Sequence, residues 1–250
     1  MDPWIAILLP LALIMMRVTA FLAVCPVFSA QSVPMVIRAG LAVLLTGFFA
    51  IVSPTPAVAP ATHWLTAVTL LCQEAAVGLA LGLACRLVYM AVQQGGEIAA
   101  QQMGMTDSDV IDPVSGTGAY PIATLVEMIF ALLFLSAGGH RILLAVVASS
   151  FRALPVAAVP DPARLADGIV SAGSMMLLLA LKLAAPMLAG FLIVAVMLCI
   201  LARVLPEMNI LMTSFPLRVA MGLFLAGAMV PSMEWFMAEM ARWMQQSLIT

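Results

Sequence analysis

Residues Ile169 to Val204 read IVSAGSMMLLLALKLAAPMLAGFLIVAVMLCILARV, and this run carries charged side chains only at Lys182 and Arg203. About 20 helical residues cross the hydrocarbon core of a bilayer, whereas this run would measure roughly 54 Å as one straight helix. Pro186 and Gly190 lie near its middle, and a proline removes one helical hydrogen bond. The sequence therefore predicts a membrane-embedded helical segment that kinks or breaks into two packed arms near Pro186.

The composition places the whole chain in the same class. Of its 250 residues 64% are apolar and 9% are charged, against about 45–50% and about 25% in soluble domains. The mean hydropathy is +1.16, and the net charge of -2 excludes the basic surface that binds nucleic acid. We expect an all-α, polytopic integral membrane protein that contacts lipid and forms a single membrane-embedded domain over residues 1–250.

Five to six apolar helical segments are predicted, and their orientation across the membrane stays open. The segments separated by Gly138-Gly139-His140-Arg141 form either one bent helix or a short hairpin. The third run, Leu65–Val92, is long enough to tilt or to project beyond the bilayer. The apolar runs are Trp4–Val24, Val33–Val52, Leu65–Val92, Ile122–Ala137, Ile142–Leu154, Ile169–Val204 and Leu217–Met233, and the fourth and fifth count as one segment if they form a bent helix.

A polar stretch interrupts these runs between Gln93 and Tyr120, and it predicts a loop with at most one helical turn at its start. The loop insert is expected at about residues 104–121. Its aspartates lack the glycine and glutamate spacing of a calcium loop, and the four scattered cysteines have no spacing typical of zinc binding. We therefore expect neither a metal nor a cofactor.

Charged side chains within the apolar runs must face protein or water, because each costs about 2.5–3.5 kcal/mol at the centre of a membrane helix. These residues are Arg17, Glu74, Glu127 and Lys182. Lys182 is the only lysine of the chain, and it can pair with Glu127 or Glu74. Two interpretations remain open: a polar lining or partner contact, or an internal ion pair that fixes the helix register.

Small residues follow one another on the third run, where Gly78 and Gly82 form a G-x-x-x-G motif. Such motifs let two helix backbones approach closely in membranes. The motif predicts tight helix packing rather than a loose transporter interior.

A stripe of methionines is predicted at the C-terminal end, because five of them recur at helical spacing. Beyond Pro231 the other face carries polar residues, which predicts an amphipathic helix that docks on a partner. The alternative is that it packs on its own bundle or lies at the membrane interface. The stripe consists of Met229, Met233, Met237, Met240 and Met244.

Enzyme activity is not expected, because the sequence contains no nucleotide, zinc-protease or serine-hydrolase motif. An intramembrane hydrolase would rest on Ser136 and His140 alone. The alternative is that these two side chains satisfy backbone groups at a helix end.

Several segments, taken in order, resemble the FliR family of the flagellar type III export apparatus, called SctT in injectisomes. The resemblance covers nearly the whole chain. It is carried by Arg17, Pro26-Val27-Phe28, Val33-Pro34, Gly95-Gly96-Glu97 through Gln102-Met103-Gly104-Met105, Asp112-Pro113, Phe134-Leu135 through Gly139-His140, Ser150-Phe151-Arg152-Ala153-Leu154-Pro155, Leu181-Lys182-Leu183-Ala184-Ala185-Pro186, and RVLPEMNILMTSFPLRVAMG from Arg203 to Gly222.

This resemblance implies a subunit that assembles with FliP and FliQ into a ring-like export gate at the bacterial inner membrane, at the base of the flagellum. It implies that the chain works beside FlhB, forms part of the channel wall and carries unfolded flagellar subunits outward. The loop would plug the pore, through Met105, Asp107, Asp109, Val110, Ile111, Asp112, Pro113, Gly116, Gly118 and Tyr120. The rival interpretation is a small-molecule permease subunit, which predicts a central binding pocket.

Overall fold

The computed structural model describes residues 3–26, 28, 33–52, 64–104, 121–204, 210–229 and 232–248. Within these ranges the chain forms eight α-helices and no β-strand. They are α1 (Pro3–Val24), α2 (Met35–Val52), α3 (Trp64–Gln102), α4 (Pro121–Ser136), α5 (Gly139–Ala153), α6 (Pro162–Val204), α7 (Ile210–Met229) and α8 (Ser232–Leu248).

Helices α2, α3 and α6 are long and apolar enough to cross a membrane. The count of spans rises to five if the bent pairs α4–α5 and α7–α8 are each one span. The predicted all-α membrane protein with about five to six apolar helical segments is therefore confirmed. The two runs that were predicted to form one bent helix or a short hairpin are separate helices, α4 and α5, with a break at Ala137 and Gly138. Gly138 has a φ of 78°, a conformation that glycine adopts without strain.

Helix α6 is continuous from Pro162 to Val204, so of the two alternatives predicted near Pro186 the break into two arms is wrong and the kink stays a prediction. Asp161 caps its start by accepting a hydrogen bond of 3.0 Å from the backbone N–H of Ala163. Pro186 lies on the exposed side of the helix, and the buried face continues past it without interruption. Packing on both sides of the proline thus holds the two halves in one helix. The buried residues of that face include Leu179, Leu183, Met187, Phe191, Val194 and Leu198.

Helix α3 extends to Gln102, so the loop that was predicted from Gln93 begins later. Gly95 and Gly96 lie within the helix and do not form a turn. Their lack of a side chain lets neighbouring residues pack closely against the helix. A Cβ atom on Gly95 would lie 2.9 Å from Leu183, and one on Gly96 would lie 3.0 Å from the Cα atom of Ala123. The helix ends in a turn at Gly104, whose φ is 77°.

The helices form two compact units. The first comprises Met1–Tyr89, Gly138–Ser174 and Met240–Thr250, and its core includes the rings of Phe49 and Phe151, whose centroids are 5.2 Å apart. The second comprises Met90–Ala137 and Met175–Glu239. Its core includes Phe130 and Phe236, which meet edge to face at 5.5 Å.

Candidate functional site

The first unit is built around a buried ion pair between α1 and α3. Arg17 is 0% exposed and Glu74 is 1% exposed. The Nε atom of Arg17 donates to Oε2 of Glu74 at 2.5 Å. A charged side chain without a partner would be strongly unfavourable at such a position, so each of these two residues makes the other tolerable there. The partner of Glu74 is therefore Arg17 and not Lys182, which corrects that part of the sequence interpretation.

The same ion pair also binds backbone groups at the end of α5. The Nη1 atom of Arg17 donates to the carbonyl oxygens of Ser150 at 3.2 Å and Leu154 at 2.9 Å. The other carboxylate oxygen of Glu74, Oε1, accepts from the backbone N–H of Ala157 at 2.9 Å. Helix ends carry unpaired carbonyls, and a cation next to them is favourable. The pair thus ties α1, α3 and the connector after α5 together.

An aromatic ring and a strained residue complete this cluster. The guanidinium carbon of Arg17 lies 4.6 Å from the centroid of the Phe151 ring. Ala157 has a φ of 68°, which is unfavourable for a residue with a Cβ atom. Its N–H is bound by Glu74, so the ion pair helps to hold this backbone conformation.

The glycines of the G-x-x-x-G motif lie where α3 packs on α1. A Cβ atom on Gly78 would collide with the carbonyl oxygen of Arg17, and one on Gly82 would lie 2.9 Å from that of Phe21. Glu74, Gly78 and Gly82 are four residues apart and so share one face of α3. The close approach that the two glycines allow is what brings Glu74 within reach of Arg17.

In the second unit, the helices on either side of the predicted plug loop are firmly packed. Glu97 of α3 accepts hydrogen bonds from the side-chain amides of Gln93 at 3.1 Å and Gln94 at 2.7 Å. The half-buried Glu127 of α4 lies near Glu97. Met103, next to the loop, is fully buried, and a Cβ atom on Gly222 would collide with its side chain. Both ends of the loop are therefore held.

The predicted plug residues lie outside the described residues. The positions concerned are Met105, Asp107, Asp109, Val110, Ile111, Asp112, Pro113, Gly116, Gly118 and Tyr120. Their role stays a prediction.

Lys182 lies on the exposed side of α6, as Pro186 does. Its Nζ atom is 5.4 Å from the centroid of the Trp235 ring of α8. Within the described ranges Lys182 has no carboxylate within ion-pair distance. Among the described side chains, its nearest recorded partner is therefore an aromatic ring rather than a carboxylate.

The methionine stripe of α8 is directed into the chain. Met233, Met240 and Met244 are each 1% exposed, and Met237 is half-buried. The side chain of Met229 lies outside the described part of the structure. In this conformation the stripe serves the packing of the chain itself, and its docking on a partner stays a prediction.

Ser136 and His140 stand at the junction of α4 and α5. The hydroxyl of Ser136 donates to the carbonyl oxygen of Leu133 at 2.8 Å, so it satisfies a backbone group at the end of its own helix. Among the described residues no group of three His, Cys, Asp or Glu side chains is arranged to hold a metal ion.

Sequence reasoning missed the backbone partners of the ion pair and the role of Glu97. One available signal was Pro155, since a helix that ends before a proline leaves carbonyl groups without helical partners. The pairing of Arg17 with Glu74 has no comparable signal.

Comparison with known proteins agrees with the resemblance drawn from the motifs. Residues 8–244 match the family model for bacterial export proteins, family 1. The chain is similar to the flagellar biosynthetic protein FliR of Escherichia coli K12, with 32% identity over 217 residues, which is 87% of this chain and 82% of the relative. It is also similar to FliR of Bacillus subtilis 168, with 31% identity over 212 residues, or 83% and 81% of the two chains. FliR of Pectobacterium carotovorum is 30% identical over 218 residues, or 86% and 82%.

Proposed function

Because this chain belongs to family 1 of the bacterial export proteins, we propose that it is a subunit of the flagellar type III protein export gate. The observation that carries the proposal is the family match over residues 8–244, which leaves little of the chain for a different function. Its relatives are named flagellar biosynthetic proteins, and its apolar helices make it a bacterial membrane protein. A small-molecule permease is not favoured by these relationships.

The chain performs no chemistry in this role. It assembles with FliP and FliQ at the inner membrane, at the base of the flagellum, and works beside FlhB. Unfolded flagellar subunits pass through the channel of which it forms one part. These partners and this location belong to the proposal, and the relationship to FliR proteins supports them.

A contribution to the channel wall is consistent with the apolar side chains that the helices present outward. On α2, Met35 is 85% exposed, Val36 82% and Ile51 87%. Apolar surface of this extent is stable only against lipid or against other apolar helices. In an assembled gate, neighbouring subunits and lipid cover such faces.

The loop between α3 and α4 acts as the stopper of the pore. Support comes from its anchors, since Gly96 packs against Ala123 and Met103 is buried. A segment held at both ends can move between a packed and a displaced state without disturbing the helices that carry it. Gating is then a shift of population between these states, driven by the arriving substrate.

The stopper role is tested by deleting Gly116–Tyr120 and measuring the permeability of resting membranes to small ions or dyes. The deletion should make them leak, because the shortened loop no longer fills the pore. A deletion of five residues from the proline-rich stretch between α2 and α3 serves as the matched control and should leave the membranes tight. Unchanged permeability of the loop deletion in the assembled complex would contradict the stopper role.

A further inference from the structure

Helix α6 has two distinct faces between Met175 and Val204. One face is buried in the second unit, from Leu179 to Leu198. The opposite face is exposed and almost entirely apolar, and its positions follow the spacing of a single helix stripe. We call it the α6 outer face and define it by Leu178, Leu181, Lys182, Ala189, Leu192 and Val196.

The α6 outer face carries a single charge, the ammonium group of Lys182. The neighbouring Trp235 is 49% exposed, and its ring lies 5.4 Å from the Nζ atom. In the part of the chain that the structure describes, no carboxylate forms an ion pair with this lysine. An ammonium group on an apolar membrane helix is costly unless a counter-charge accompanies it. Among the described residues the face thus presents an apolar surface with one cation that lacks a carboxylate partner, and an apolar occupant that also brings an anion would match it.

The surroundings of Lys182 favour a protein helix over a lipid headgroup as that occupant. Leu178 and Leu181, just before the lysine, are 46% and 58% exposed, while Leu192 and Val196, further along, are 67% and 53% exposed. A headgroup layer at the level of Lys182 would place one of these two apolar flanks in a polar environment. An apolar helix with one carboxylate at the matching level covers both flanks and neutralises the ammonium group.

We propose that the α6 outer face is a subunit interface, occupied by an apolar helix of another membrane protein that carries an Asp or Glu side chain opposite Lys182. Trp235 holds the ammonium group toward this partner. The inference rests on the proposed function, which requires that the chain assemble with other membrane proteins. It adds to that function the surface used and the chemistry of the partner.

The experiment uses the full-length chain, expressed with its partners in native membranes, extracted in detergent and weighed as an intact complex. Lys182→Met keeps an unbranched side chain that is shorter by one atom and removes the charge. The partner's carboxylate is then buried without a counter-charge, so we expect assembly to weaken about 30-fold or more. Lys182→Arg should retain the complex, because a guanidinium group also pairs with carboxylates and stacks on aromatic rings. The control Arg164→Met removes an exposed cation from the same helix outside the α6 outer face and should assemble normally.

Loss of the complex in Lys182→Met with retention in Lys182→Arg supports the interface. Normal assembly of Lys182→Met overturns it, and so does a loss of bound anionic phospholipid while the protein partners remain. If the unsubstituted chain brings no other export subunit, the proposed function itself fails.

A second measurement decides the case in which Lys182→Met does not fold. A photoreactive residue is placed at Leu192 in an otherwise unchanged chain, and the cross-linked product is identified by peptide mass. The proposal expects a peptide from an apolar helix that contains Asp or Glu. Cross-linking to lipid alone overturns it.

Discussion

Replacing Glu74 by glutamine probes the ion pair on which the first unit is built. The two oxygens of the Glu74 carboxylate serve two donors, Nε of Arg17 at 2.5 Å and the N–H of Ala157 at 2.9 Å. Glu74→Gln keeps the shape but offers a single acceptor oxygen, so one donor then faces an amide NH₂ group. It also leaves the fully buried guanidinium group without its counter-charge.

Removing one partner of a buried pair costs about 3–5 kcal/mol, so Glu74→Gln should lower the free energy of unfolding by that amount. In a domain of this size the melting temperature would fall by roughly 6–20 °C. The measurement is thermal or denaturant unfolding of the detergent-solubilised chain. Combining Arg17→Met with Glu74→Gln removes both charges, so the cost of the double variant should fall short of the sum of the single costs by about 1–3 kcal/mol.

The matched control is the exposed pair of Arg164 and Asp161, whose atoms are 3.8 Å apart. Exposed pairs contribute little, so Arg164→Met should change the free energy of unfolding by no more than about 0.5 kcal/mol. If Glu74→Gln is as harmless as this control, or if the double variant shows full additivity, the ion pair does not hold the first unit together and the reasoning is refuted.

Three further predictions concern packing, strain and chemistry. Gly78→Leu should destabilise the chain by about 1–3 kcal/mol, because the new side chain meets the backbone of α1. The control Gly40→Ala has open space around it and should be neutral or stabilising. Unfolding midpoints compare the two variants, and equal effects would contradict the close approach of α1 and α3. Ala157→Gly should remove the steric strain of the positive φ at this position, so the free energy of unfolding should stay unchanged or rise by up to about 1 kcal/mol in the same assay. A clear loss of stability would show that the residue is not strained. Ser136→Ala should leave flagellar export and motility at the level of the unsubstituted chain, because the hydroxyl donates a hydrogen bond to the carbonyl oxygen of Leu133. Abolished export with normal assembly would point to a chemical role.

The helices could be predicted from the sequence because apolar runs and their limits depend on local composition. The first two helices end at the same residues as the predicted runs, Val24 and Val52. A loop was predicted at the glycines in positions 95 and 96 because two adjacent glycines in a polar stretch are typical of a turn. This prediction was wrong. Their actual role depends on Leu183 and Ala123, which are distant in sequence.

The candidate site was predictable in its residues but not in its pairings. Arg17 and Glu74 both stand out as charges in apolar runs, yet their separation of 57 residues gives no sign that they meet. Lys182 was equally conspicuous, and its position on the exposed side of α6 emerges only when the packing of the helix is known. Burial is a property of the assembled helices, so a single sequence identifies costly charges without identifying their partners.

The most direct test of the central claim is the mass of the complex that the chain forms when it is extracted from native membranes in mild detergent. A subunit of the export gate should co-purify with FliP and FliQ in unequal ratio, giving one defined mass well above that of a single 26.3 kDa chain. A chain that is recovered alone, and that transports a small molecule when reconstituted by itself in liposomes, would contradict the account.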